Sequence, residues 1–318
     1  MTESPRGAVP PAPAGLALPR LLHPVRTIGR RRFDFDRQVA VMAVVNRTPD
    51  SFHDRGRTFA LDRAVEAALA AVDEGADWVD VGGVPFAPGP EVSARDELTR
   101  VLPVVEALVD RSDVVVSVDT ARADVAEAVL AAGAAVVNDT SGLADPRLAP
   151  VVAAAGATLV VTHSLAPPRR PHPLPRYDDV VTEVVDALGR RVDAALAAGV
   201  AEDRLVVDPG HDLHKTTVHT LELTRRLAEV TALGHPVLAA VSNKDFVGET
   251  LGRPRGQRLA GSLSAAVTSV LLGARIVRMH DVRASVDAVR MVEAVLGWRD
   301  PLEARHNVAP DDHPQEHA

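Results

Sequence analysis

Eight short runs rich in β-branched residues alternate with eight longer Ala-, Leu- and Val-rich segments of helical period, and this alternation restricts the fold of the 318-residue chain more than any other feature. The runs cover residues 39–46, 78–83, 114–120, 135–139, 158–163, 204–208, 236–242 and 276–281. Helical patterns follow them at 61–74, 93–110, 123–132, 146–155, 180–198, 219–233, 257–272 and 284–296. Strands that read as continuous apolar runs are covered on both faces, and strict alternation with helices demands a parallel sheet. Eight such units close naturally into a (β/α)8 TIM barrel. An open doubly wound sheet would want G-x-G-x-x-G after the first strand, and none is there. Gly75, Gly133, Gly156, Gly199, Gly234 and Gly273 each stand just past a helical pattern, where a left-handed residue ends a helix. Ser93-Ala-Arg-Asp96 fits a capping box. The sequence therefore predicts one barrel over residues 37–300. It is flanked by a Pro- and Arg-rich tail at 1–36 and a polar tail at 301–318, both expected to be disordered.

Composition narrows the chemistry. The chain has no cysteine, which excludes disulfides, thiolate metal sites and thiol catalysis. Hydrophobic residues make up 46% but aromatics only 3%, so the core must be built from Ala, Val and Leu. A net charge of −8 argues against nucleic acid as a partner, and no apolar run reaches the roughly 18 residues of a membrane helix. Together with the lack of a secretory h-region, this makes a cytoplasmic enzyme the expectation. The chain holds 33 arginines but only two lysines, Lys215 and Lys244, and only four asparagines. Where those rare residues fall is informative.

In a barrel the active site lies at the C-terminal ends of the strands. Almost every apolar run here ends in a polar cluster: Asn46-Arg-Thr-Pro-Asp-Ser-Phe52, Asp80-Val-Gly-Gly83, Ser117-Val-Asp-Thr120, Asn138-Asp-Thr-Ser-Gly142, Thr162-His163, Asp208-Pro-Gly210, Ser242-Asn-Lys244 and Arg278-Met-His-Asp281. Three of the four asparagines and Lys244 lie in this set, and Lys215 lies in the loop after the sixth run. Any single Asp or Asn after a strand is as often a turn former or helix cap. Arg278 and His280 resist that account, because residues i and i+2 share a face and a buried charge needs a partner. The carboxylates Asp119 and Asp208 and the amides Asn46 and Asn138 suit a flat hydrogen-bonding heterocycle, while Arg278, His280 and Asn46 suit an anionic phosphate. A phosphorylated heterocyclic substrate follows.

These clusters, in this order over roughly residues 38–298, resemble the pterin-binding barrel of the dihydropteroate synthase family. Asn46-Arg-Thr-Pro-Asp-Ser-Phe52 differs by one residue from the family's Asn-Val-Thr-Pro-Asp-Ser-Phe, and Lys215-Thr216 also matches. The family joins 7,8-dihydropterin-6-methyl pyrophosphate to p-aminobenzoate and releases pyrophosphate. The resemblance implies that Asp119, Asn138, Asp208 and Lys244 hold the pterin. Asn46, Arg278 and His280 would hold pyrophosphate, with Asn46 also on Mg²⁺ and Lys244 counted with these three as catalytic. It also implies a homodimer formed through the later helices, with 259–272 the apolar candidate. The departures gather on the p-aminobenzoate side. Where the family reads Glu-Ser-Thr-Arg-Pro-Gly, this chain has Val84-Pro-Phe-Ala-Pro-Gly89; where it reads Ile-Gly-Phe-Gly, the chain has His211-Asp-Leu-His214. The family's Ser-Arg-Lys-Ser is Ser242-Asn-Lys-Asp245, which removes an arginine and sets Asp245 where the second substrate's carboxylate would dock. The expectation is a divergent transferase of this type with an altered p-aminobenzoate subsite. The alternative is a pterin-binding paralogue that uses another nucleophile or has no turnover. Arg169 and Arg170, in the Pro-stiffened segment 166–176, are candidates to bind an acidic second substrate.

Overall fold

The computed structural model describes residues 19–47 and 57–307. The cluster at Thr48–Phe52 and most of the two expected tails lie outside them. Eight parallel strands close into a barrel in the order β10-β3-β4-β5-β6-β7-β8-β9. They are β3 (Ala40–Asn46), β4 (Trp78–Gly82), β5 (Val115–Asp119), β6 (Val136–Asp139), β7 (Thr158–Thr162), β8 (Leu205–Asp208), β9 (Val237–Ala239) and β10 (Ala274–Met279). Helices α1 (Arg57–Asp73), α2 (Ala94–Arg111), α3 (Ala123–Ala131), α4 (Leu148–Ala154), α5 (Val180–Ala197), α6 (Thr217–Arg225), α7 (Leu227–Thr231), α8 (Asp245–Leu251), α9 (Leu259–Leu271) and α10 (Val282–Val295) connect and surround them. All six glycines singled out in the sequence have positive φ, from 62° to 110°. Ser93 caps α2 by accepting from the Asp96 backbone N–H at 3.1 Å. The Asp96 carboxylate takes the Ser93 hydroxyl instead of returning to the Ser93 backbone, so the cap is one-sided.

The segment expected to be a tail up to residue 36 is structured at its C-terminal end. Strands β1 (Val25–Ile28) and β2 (Arg31–Asp34) form an antiparallel hairpin, with Gly29 at φ 59° in a two-residue turn. Its Ile28 and Phe33, with Phe35 beyond, are fully buried against Met42, Trp78, Val115, Val136, Val160, Val206, Leu238 and Ile276. This cluster is the lower interior of the barrel, so the hairpin stoppers its N-terminal end. The missed signal was short, because Phe33 and Phe35 stand among arginines and charges that disguise their alternation. Arg31 anchors the hairpin on Asp77, which also takes Arg290. The two larger apolar clusters lie between strands and helices.

Candidate active site at the C-terminal mouth of the barrel

Side chains alternate along a strand, so the residues two positions above the inward apolar layer also point inward. Trp78 leads to Asp80, Val115 to Ser117, Val136 to Asn138, Val160 to Thr162, Val206 to Asp208 and Ile276 to Arg278. The same sequence that packs the barrel bottom therefore plants a polar layer above it.

Asp80, fully buried, organises that layer. Its carboxylate accepts the Ser117 hydroxyl at 2.6 Å, the Asn138 Nδ2 amide at 3.0 Å and Arg278 Nε at 2.8 Å. Arg278 also approaches Asp119, at 3.8 Å. Asp80 belongs to a cluster legible in the sequence but carries no role there. The usable signal was a carboxylate of inward parity in the otherwise apolar Trp-Val-Asp-Val-Gly, which must find a cation and donors.

Electrostatics at the site follow from burial and crowding. Burial, and then the nearby Asp80 charge, push the Asp119 carboxyl up to about 7 against the pull of Arg278. Burial raises Asp208, against the Gly210 N–H at 2.7 Å and the charge of Lys244. Burial lowers Lys244, with Asp212 resisting. Burial would lower Arg278 too, but Asp80 and Asp119 outweigh it and the guanidinium is held charged. His280 is lowered to about 4 by burial and then by Arg278 and Lys244, so it is neutral at pH 7, and its Nδ1 lies 3.1 Å from the Ser242 hydroxyl.

Asp119, Asn138, Asp208, Lys244, Arg278 and His280 thus meet around one mouth. Asn46 ends β3 at its rim, with its amide oxygen against Gly82, where an added Cβ would stand 2.9 Å from it. Two buried acceptors in the inward layer, Asn138 Oδ1 and Thr162 Oγ1, have no partner. A buried polar atom without a partner costs roughly 1–3 kcal/mol, so this layer is built to be completed by something else.

The other side of the mouth is filled by the chain itself. Phe86 packs against His172 and His214, with ring centroids 5.7 and 5.4 Å away, and the two imidazoles meet edge-on at 4.9 Å. His214 Nδ1 accepts the Leu165 N–H at 3.0 Å, and burial and then His172 lower it to about 4. Arg169 folds onto the loop after β4. It has φ 67°, a conformation that disfavours any residue but glycine and asparagine. Its guanidinium donates to the carbonyls of Ala87 at 2.6 Å and Pro90 at 3.0 Å, tying the loop after β7 to the loop after β4. A Cβ on Gly89 would stand 1.9 Å from Arg169 Nη2, so any side chain there would displace the guanidinium from this position. Asp245 is not an uncompensated charge either, because Arg258 pairs with it at 2.9 Å. Arg258 was not anticipated, since thirteen residues and a helix boundary separate the two in sequence.

Lys215 lies on the His163 side of the mouth, within reach of the charges of Asp208 and Lys244. Its amine reaches His163 Nδ1 at 2.9 Å and the carbonyls of Gly210 and Leu213, and burial lowers it to about 7.

The profile of the family described as "Pterin binding enzyme" matches residues 42–280. The chain is 44% identical over 281 residues to the Mycobacterium leprae protein named inactive dihydropteroate synthase 2, covering 86% of this chain and 96% of that one. It is 45% identical over 267 residues to M. leprae dihydropteroate synthase, covering 81% and 94%. The structure of Xanthomonas albilineans dihydropteroate synthase with 4-aminobenzoic acid superposes with a TM-score of 0.80 at 40% identity, covering 86% of this chain and 98% of that one.

Proposed function

The chain belongs to the pterin-binding enzyme family, and from that premise we propose that it is a dihydropteroate synthase-type transferase with an intact pterin half and an impaired p-aminobenzoate half. The observation that carries the pterin reading is the unpartnered Asn138 Oδ1, in a buried layer already held rigid by Asp80. Asn138 Oδ1, Asp119 and Asp208 present acceptors to the N–H groups of an aminopyrimidinone ring, and Lys244 offers a donor to its carbonyl. Because Asp80 fixes Asn138 Nδ2 and Arg278 Nε, these groups need little reordering on binding.

In the reaction, the bond from the pterin methylene to the pyrophosphate oxygen breaks and a C–N bond forms to an incoming amine, which loses a proton. The pair on the leaving oxygen stays with pyrophosphate. Arg278, held charged, and neutral His280, as a hydrogen-bond donor, stabilise that growing charge. Among the described residues Asn46 offers Mg²⁺ a single amide oxygen, so pyrophosphate oxygens and water would carry much of the ion's coordination. The described residues contain no group of three or more His or acidic side chains able to hold a metal. When bound, the ion would supply further charge neutralisation on the leaving group.

The second reading, pterin binding without transfer to p-aminobenzoate, is favoured by the Phe86–His172–His214 packing and the Arg169 clasp. They occupy the side on which the family resemblance puts p-aminobenzoate. Cytoplasmic placement and a homodimer through α9 belong to the same proposal. Leu259 of α9, Leu251 of α8 and Val218 of α6 are exposed large apolar residues that suit such a contact.

The test separates the halves. Calorimetry with 7,8-dihydropterin-6-methyl pyrophosphate and Mg²⁺ should give binding that Asn138→Ala weakens at least about tenfold. Chromatography with p-aminobenzoate added should show dihydropteroate forming far below about 1 s⁻¹. Absent binding sinks the pterin reading; ordinary turnover sinks the impaired half.

A further inference from the structure

A cleft of about 500 Å³ opens beside the pterin-side mouth, between the loops that follow β4, β5, β6 and β7. Its volume lies within the range of small-molecule sites. It shares Asp119 with the mouth and Val84, Gly89, Arg169 and Arg170 with the altered loops, while Glu91, Glu97, Arg122, Asp145 and Arg147 have no role in either the pterin or the second-substrate reading.

The wall is mixed in charge, and its charges are not all balanced. Arg122 pairs with Glu91 at 2.9 Å, and Arg147 with Asp145 at 2.8 Å. Arg169 is matched only by backbone carbonyls, and Arg170 has no side-chain partner among the described residues. Glu97 of α2, 2% exposed, lines the same cleft; its Oε2 lies 3.6 Å from Arg122 Nε, and its Oε1 is buried with no hydrogen-bond partner. Burial raises its carboxyl, although a bond to the Thr120 hydroxyl and the nearby Arg122 oppose the shift. The turn Pro167–Arg170, with its strained Arg169, fixes where the two cations stand. Strain of this kind persists only where surrounding contacts enforce it.

We propose that this cleft is a second binding site, taking a small organic anion that also carries an N–H or O–H donor: the anion on Arg169 and Arg170, the donor on Glu97 Oε1. The inference goes beyond the pterin reading and does not depend on it. It explains why two guanidinium groups without a carboxylate partner among the described residues line the same cleft as a buried, unsatisfied acceptor.

The probes are L-glutamate, glutarate and inorganic phosphate, titrated by NMR into the full chain. Glutamate differs from glutarate by the ammonium donor, which also removes one unit of net negative charge, so the Glu97→Gln variant separates the donor from the charge. Glutamate should bind about tenfold tighter than glutarate, and phosphate more weakly than either. Arg170→Ala, at a residue without side-chain partners, should weaken both dicarboxylates about tenfold. Glu97→Gln should erase the preference for glutamate, and Asn138→Ala should lose the pterin while keeping glutamate. No saturable binding of any probe, or binding unchanged by Arg170→Ala, would overturn the proposal.

Discussion

Asp119 makes the clearest statement at the scale of one residue. Its carboxyl titrates near 7 in the folded protein because burial and the Asp80 charge disfavour ionisation more than Arg278 restores it. A pterin N–H needs the ionised form as acceptor. Pterin affinity should therefore be flat above about pH 7 and fall up to about tenfold per unit below it, with Asp119→Asn weaker throughout and flat over that range. Stability runs the other way. A carboxyl whose folded value lies above its unfolded one favours the fold at low pH and loses that contribution as pH rises through about 7. Relative to the native chain, Asp119→Asn should thus gain at pH 8 and not at pH 4, by about 2–4 °C in melting temperature for each kcal/mol relieved. Gly89 offers a purely steric test. Gly89→Ala places a methyl where the Arg169 guanidinium lies, so the guanidinium must shift and the clasp should loosen. Proteolysis within the 166–176 loop should accelerate in Gly89→Ala and equally in Arg169→Ala, with pterin affinity unchanged.

At the scale of elements, the strands and most helices were legible because one period, apolar and buried, decided each of them. The parallel order and the six left-handed glycines followed from the same pattern. What escaped the reading was set by distant partners. The hairpin β1–β2 is two four-residue strands whose only local signal is Phe33 and Phe35 among charges, and it exists because the barrel bottom needs a cover. Helix α8 has only seven residues and begins at Asp245 because Asp212, from another loop, accepts the Phe246 N–H at 3.1 Å. The expected helix over 219–233 is broken at Arg226, which binds Asp179, Glu222 and Glu229 at once. The site itself was read in the same uneven way. Its ring of polar residues followed from strand ends, but the pivot Asp80 and the pairing of Arg258 with Asp245 depend on three-dimensional neighbours. The hairpin yields a prediction of its own scale. Phe33→Ala removes a fully buried ring stacked on Phe35 and should cost about 3–5 kcal/mol in denaturant unfolding. Because the lost contact is at the opposite end of the barrel from the mouth, pterin affinity should stay within about twofold.

For the whole molecule, the consequence is that the two halves of one mouth are separable. The side proposed for the pterin is a layer tied through Asp80 across four strands. The opposite side is three loops held together by Phe86, His172, His214 and the Arg169 clasp, with no bond from that group to the Asp80 network. The second half should therefore be open to rebuilding without disturbing the first. Replacing Val84-Pro85-Phe86-Ala87 by the family's Glu-Ser-Thr-Arg removes the ring that fills the p-aminobenzoate side, and His214→Gly removes the imidazole packed on it. Asn243→Arg restores the missing cation, at a cost of about 1–3 kcal/mol because Asn243 has φ 56°. The combined variant should keep its dissociation constant for the pterin pyrophosphate within about threefold and gain at least about tenfold in dihydropteroate formation, the equivalent of 1.4 kcal/mol at the transition state. A variant that binds the pterin normally yet stays inert would place the defect on the pyrophosphate side, with Asn46, Arg278 and His280. One that loses the pterin as well would show that the loops and the Asp80 layer act as one unit after all.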